Sequence, residues 1–126
     1  PAPAGQRALV IDDNRDAADT MVALLLLLGH EARCAYGGDE AVKVAQAFAP
    51  DVVFLDLNMP DGDGFEVLRR LRRLPGLAGV FAAATTGYGQ QSDRDRTREA
   101  GFNAHLTKPV SIEHLLGVLQ QAKDRR

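Results

Sequence analysis

The stretch Val52-Val53-Phe54-Leu55-Asp56-Leu57-Asn58-Met59-Pro60-Asp61-Gly62-Asp63-Gly64 decides the fold. It opens with four consecutive apolar residues, breaks at a carboxylate and ends among turn formers. A continuous apolar run of this length fits a strand buried on both faces. Such a strand belongs at the centre of a sheet with helices on either side, and an acid at its carboxyl end then lies on the rim where these sheets bind ligands.

Working outward, Ala8–Ile11, Val80–Ala84 and Ala104–Leu106 are further short apolar runs, and Glu31–Tyr36 alternates polar and apolar residues. Helical spacing fills the gaps between them. Met21, Leu24, Leu25 and Leu28 share one face, with Gly29 placed to end the helix. Ala41, Val44, Ala45 and Phe48 follow the same rule, as do Phe65, Leu68 and Leu71, and then Ile112, Leu115, Leu116 and Leu119. Asn14, Ser92 and Ser111 are candidate N-caps, and the charged stretch Asp93–Glu99 predicts a short, solvated helix. Strand and helix therefore alternate five times, which demands a mainly parallel, doubly wound α/β sheet. Ala8–Ile11 and Val52–Leu55 suit its centre and the alternating Glu31–Tyr36 an edge, giving the flavodoxin-like strand order 2-1-3-4-5.

The bulk properties narrow the function. A chain of 126 residues fits one domain. A net charge of −2 argues against a dedicated nucleic-acid binder and gives no reason to expect a membrane surface as partner. The longest apolar run, Met21–Leu28, falls far short of the roughly 20 residues that cross a bilayer. Cys34 is the single cysteine, so no intrachain disulfide forms and a reducing, cytoplasmic setting is expected. The start, Pro-Ala-Pro-Ala-Gly-Gln, lacks the features of a secretory leader and reads as linker. The expected division is linker over 1–6, one domain over 7–122 and a tail over 123–126.

The predicted strand ends carry Asp12-Asp13, Asp56, Thr85-Thr86 and Thr107-Lys108-Pro109, which the fold would gather on one rim. Two unit charges 4 Å apart repel by about 4 kcal/mol at an effective dielectric near 20, so three clustered carboxylates require a compensating cation, proton or lysine. An oxygen-only cluster with open positions suits magnesium, which shares a substrate phosphate. Lys108 adds a point charge that reaches an anion, and Thr86 a hydroxyl donor. A carboxylate facing a cation and a lysine makes a phosphoryl-transfer site. Taken singly, each residue has a plainer reading: Asp12-Asp13-Asn14 as a helix cap, Lys-Pro as a turn. Only their joint placement at successive strand ends argues for chemistry.

These residues carry a family resemblance. Val10-Ile11-Asp12-Asp13-Asn14, the segment Val53–Gly64, Thr86-Gly87-Tyr88-Gly89, Ala100-Gly101-Phe102 and Leu106-Thr107-Lys108-Pro109 resemble, in this order, the receiver domains of bacterial two-component response regulators and hybrid histidine kinases. The likeness runs over about residues 7 to 122. It implies that Asp56 accepts a phosphoryl group from a histidine kinase or a histidine phosphotransfer protein. It further implies magnesium held by Asp13, Asp56 and the backbone carbonyl of Asn58, with Asp12 acting through a coordinated water. Lys108 would pair with the phosphoryl group, Thr86 would serve as the switch hydroxyl, and the Lys108-Pro109 bond would be cis. The domain would be a signalling module that catalyses only its own modification and does not turn over a small substrate. His105 stands where such receivers commonly carry Tyr or Phe, so an imidazole would replace the aromatic switch ring. The Thr-Gly-Tyr-Gly loop and Pro-Ala start are similar to those of hybrid-kinase receivers.

Other features carry less. Asp56–Gly64 has Pro60 at its fifth position, where a calcium loop needs an acid or amide. Arg69, Arg70, Arg72 and Arg73 read as a solvated helix face, and His30, His105 and His114 lack metal-ligand spacing. Arg15, Asp19, Val22 and Leu26 form a second stripe on the first helix, beside the acidic rim, and are the predicted docking face for a phosphodonor. An aspartate-nucleophile phosphohydrolase is the enzyme alternative, but Asn58 occupies the position where its acid/base Asp would stand, and no cap-sized insertion exists. A phosphorylation-independent interaction domain is the binding alternative; the complete set Asp12, Asp13, Asp56, Thr86 and Lys108 argues against it.

Overall fold

Apolar runs too short to form stable helices alone, separated by amphipathic stretches of about a dozen residues, assemble as successive strand–helix crossovers. A computed structural model describes residues 5–59, 64–87 and 93–125. The strands are β1 (Arg7–Ile11), β2 (Glu31–Ala35), β3 (Val52–Asp56), β4 (Phe81–Thr86) and β5 (Ala104–Thr107). The helices are α1 (Arg15–Leu27), α2 (Gly38–Phe48), α3 (Gly64–Arg72), α4 (Asp93–Glu99) and α5 (Ile112–Asp124). The strands are all parallel and ordered β2-β1-β3-β4-β5, as the flavodoxin-like reading requires. β3 is buried along its whole length, while β2, at the edge, keeps its alternating exposure.

Strand pleating divides the core into two layers. Leu9, Ile11, Val53, Leu55, Ala82 and Ala84 face α2 and α3, meeting Ala41, Ala45, Val67, Leu68 and Leu71. Ala8, Val10, Val52, Phe54, Phe81 and Ala83 face α1 and α5, meeting Ala18, Leu25, Leu115, Val118, Leu119 and Ala122. On α5 the predicted face is rotated. Ile112 and Leu116 are 52% and 45% exposed, and Val118 and Ala122 are buried in their place. An apolar count by spacing could not separate two overlapping stripes on a helix rich in Leu and Val.

The helix ends form as their residues dictate. Asn14 caps α1 by accepting from the Ala17 N–H, and Ser111 caps α5 by accepting from the His114 N–H. Gly29, with φ of +94°, follows the last turn of α1 in the left-handed conformation that favours glycine. α4 is short and its Asp95, Arg96, Arg98 and Glu99 are exposed, with Thr97 buried. Residues 60–63 lie outside the described residues, as do Tyr88, Gly89 and the candidate cap Ser92.

Candidate functional site

Parallel strands end on the same side, so β1, β3, β4 and β5 deliver Asp12, Asp56, Thr86 and Lys108 to one rim. Asp12 and Asp56 are 5% and 3% exposed. Lys108 Nζ bridges them, donating to Asp12 Oδ2 at 2.9 Å and to Asp56 Oδ2 at 3.2 Å. The remaining carboxylate oxygens bind backbone. The Asn14 N–H donates to Asp12 Oδ1 at 3.0 Å, and the Asn58 N–H donates to Asp56 Oδ1 at 2.9 Å. Asp13 is exposed, and one oxygen from each of Asp12, Asp13 and Asp56 lies within 4.8 Å of the others.

Two further contacts set the frame. The Lys108-Pro109 peptide is cis, and the Lys108 N–H donates to the Thr86 carbonyl at 2.8 Å. Gly64 opens α3 against the backbone that follows Asp56. A β-carbon there would meet Leu57 Cδ2 at 2.7 Å, Leu57 Cα at 3.1 Å and the Asp56 carbonyl oxygen at 3.3 Å. Only glycine allows the helix to start this close.

Burial pushes the Asp56 carboxyl above the ordinary carboxylate range. The Asn58 N–H pulls it back, the neighbouring Asp12 adds to the rise, and the Lys108 charge opposes it. For Lys108, burial alone would lower the ammonium, but the hydrogen bond to Asp12 and the charges of Asp56 and Asp12 together hold it above its usual value. The cluster's donors are all carboxylate oxygens and each retains a lone pair, so the residues present fit a small, hard divalent cation.

Thr86, 1% exposed, faces His105 across the β4–β5 pair, with Oγ1 and Nε2 2.8 Å apart. The docking stripe is only partly a free face. The Arg15 guanidinium stacks 4.2 Å over the Tyr36 ring, and the Tyr36 hydroxyl donates to Asp19 Oδ1 at 2.6 Å. That bond to Asp19, followed by the one with Cys34, raises the Tyr36 phenol well above its usual pKa. Val22 packs partly against the α1/α5 core, and Leu26 is 53% exposed. Sequence reasoning missed Tyr36 in this role, although its place just past an edge strand, across from α1, was a usable signal. It also missed an apolar cavity of about 440 Å³ between α1 and α5, lined by Ala17, Met21, Leu24, Val110 and Leu115 and reaching Asp12 and Lys108. No spacing rule foretells a gap between two helices.

This sheet and acidic rim are those of a receiver domain. The model of the response regulator receiver domain matches residues 8–120, and the chain belongs to that family. It is 35% identical to an uncharacterised 14.6 kDa protein from the sodA1 3′ region of Leptolyngbya boryana, over 90% of this chain and 86% of that one. It is 34% identical to the DNA-binding dual master transcriptional regulator RpaA of Synechocystis, over 87% of this chain but only 46% of the regulator. Among solved structures, the chemotaxis protein CheY4 of Vibrio cholerae superposes with a TM-score of 0.86 at 27% identity, covering 94% of this chain and 98% of that one. Receiver domains are signalling modules, and membership implies an interaction with a histidine kinase or another phosphodonor. Among the described residues no helix is long and apolar enough to cross a membrane.

Proposed function

We propose that this domain accepts a phosphoryl group from a phosphohistidine donor onto Asp56, in a magnesium-dependent reaction, and changes conformation in response. The observation that carries the reading is the Asp56 carboxylate itself, buried at a central strand end and bridged to Asp12 by Lys108. Asp13, Asp56 and the Asn58 carbonyl would hold the cation, with Asp12 acting through a water. When bound, the cation supplies charge neutralisation on the transferred group and relieves carboxylate repulsion.

The chain's own groups do the rest. An Asp56 oxygen attacks phosphorus as the P–N bond of the donor breaks, and the imidazole leaves with the electron pair of that bond. The Asn58 N–H holds the other Asp56 oxygen in place. Lys108 already contacts Asp56 and can transfer its hydrogen bond to a phosphoryl oxygen, and Thr86 offers its hydroxyl on the neighbouring strand. The donor would dock over the rim along α1, on the stripe Arg15, Asp19, Val22 and Leu26 that starts beside the site.

Intact-mass measurement after incubation with acetyl phosphate and magnesium tests the acceptor. Wild type gains one phosphoryl group and Asp56→Asn gains none. Equal labelling of both would overturn the assignment.

A further inference from the structure

The pairing of β4 with β5 sets Ala84 opposite His105 and Thr86 opposite Thr107. His105 Nε2 lies 2.8 Å from Thr86 Oγ1, inside a partly buried contact. A hydroxyl owns one proton and two lone pairs, whereas each imidazole nitrogen either donates or accepts. If Nε2 lacks a proton, the Thr86 hydroxyl must donate to it, and its only proton is committed to the ring. If Nε2 carries a proton, the ring donates and the hydroxyl proton can turn elsewhere.

We propose that His105 is a positioning residue for the phosphoryl site: its Nε2 proton frees the Thr86 hydroxyl, so that occupation of Asp56 by a phosphoryl group and protonation of Nε2 favour one another. The inference rests on the reading of Asp56 as the acceptor. A phosphoryl oxygen that takes the Thr86 proton would leave two lone pairs facing each other at the His105 contact unless Nε2 is protonated. The imidazolium restores the bond, and the added negative charge nearby favours it. A phenyl ring at this position could fill the same space but could neither hold nor release a hydroxyl proton. Among the described residues, the charged and titratable groups on elements packed against β5 are Asp95, Arg96, Arg98 and Glu99 of α4 and Glu113, His114, Lys123 and Asp124 of α5. Lys108 joins them at the strand's end, and Glu113, His114 and Lys108 line one groove with His105.

The test is nitrogen–proton correlation NMR of the histidine rings in the full chain, with and without magnesium and beryllofluoride, a phosphoryl mimic. Fluorine NMR on the same samples reports occupancy of Asp56. On occupation, His105 should shift to a protonated Nε2 and its pKa should rise. By linkage, beryllofluoride should bind roughly threefold or more tighter near pH 6 than near pH 8, beyond any change shown by His105→Phe. His30 serves as internal reference, because its Nδ1 accepts from the Gln6 N–H at the opposite end of β1. A bound fluoride signal with an unmoved His105 ring, or the same pH dependence in His105→Phe, would overturn this proposal alone. No bound fluoride signal at all would overturn the acceptor reading, and this proposal with it.

Discussion

At Asp56, burial and the nearby Asp12 lift the carboxyl above its ordinary range, while Asn58 and Lys108 only partly offset them. The folded state therefore binds this proton more tightly than the unfolded chain does. Stability falls as pH rises from the usual carboxylate pKa through the raised value, and the cost is fully present above it. Asp56→Asn should accordingly raise the unfolding midpoint at neutral pH by a few degrees, with the gain disappearing as pH drops below the ordinary carboxylate range. Thermal unfolding across pH checks this; a destabilised Asp56→Asn at pH 7 would contradict it. Lys108 shifts stability in the same pH direction, but here the charged form is the stabilised one. Its raised pKa contributes stability that is complete below the unfolded lysine value and is lost as pH climbs through the folded one. Millimolar magnesium should stabilise wild type by satisfying the same carboxylates, and Asp13→Ala should remove that response.

Between elements, two contacts hold the site's supports in place. Gly64 lets α3 begin against Leu57 and the Asp56 carbonyl, where neither backbone can retreat. Gly64→Ala should cost about 1–3 kcal/mol in urea unfolding and slow acetyl phosphate labelling, because the strain falls on the backbone of Asp56, the proposed acceptor. Arg72 of α3 reaches across to the other end of the sheet. Its guanidinium donates to the Val80 and Gly101 carbonyls at 2.9 and 2.7 Å and to Asn103 Oδ1 at 3.0 Å. Asn103 Oδ1 also accepts from the Ala82 N–H, so one arginine ties α3 to the entries of β4 and β5. Arg72→Ala should lose at least about 2 kcal/mol, since it strips partners from half-buried acceptors. In the sequence Arg72 was indistinguishable from Arg69 and Arg73, both of which read as solvated. Only the turn of the helix separates them.

Across the whole molecule, the strand order and the acidic rim were legible because both follow from where apolar runs stop. Val52–Leu55 had to be central, and an acid directly after it had to reach the rim. What escaped were properties of the spaces between elements: the rotated face of α5, the cavity between α1 and α5, and the tie between Tyr36 and Asp19. The tie bears on donor docking. With Arg15 and Asp19 engaged by Tyr36, Leu26 is the most exposed apolar residue of the predicted stripe. Leu26→Asp should slow transfer from a phosphohistidine protein severalfold and leave acetyl phosphate labelling near normal, because a small donor needs no docking face. Equal slowing with both donors would point instead to damage at the site.

The two core layers never mix, since successive residues of each strand point to opposite sides of the sheet. Leu106 packs in the α1/α5 layer, and its neighbour His105 turns the other way to meet Thr86. On the proposed function, a donor docked along α1 would stand on one side of a wall five strands wide, and the Thr86 hydroxyl on the other. A sender and a reader need not queue for the same doorway.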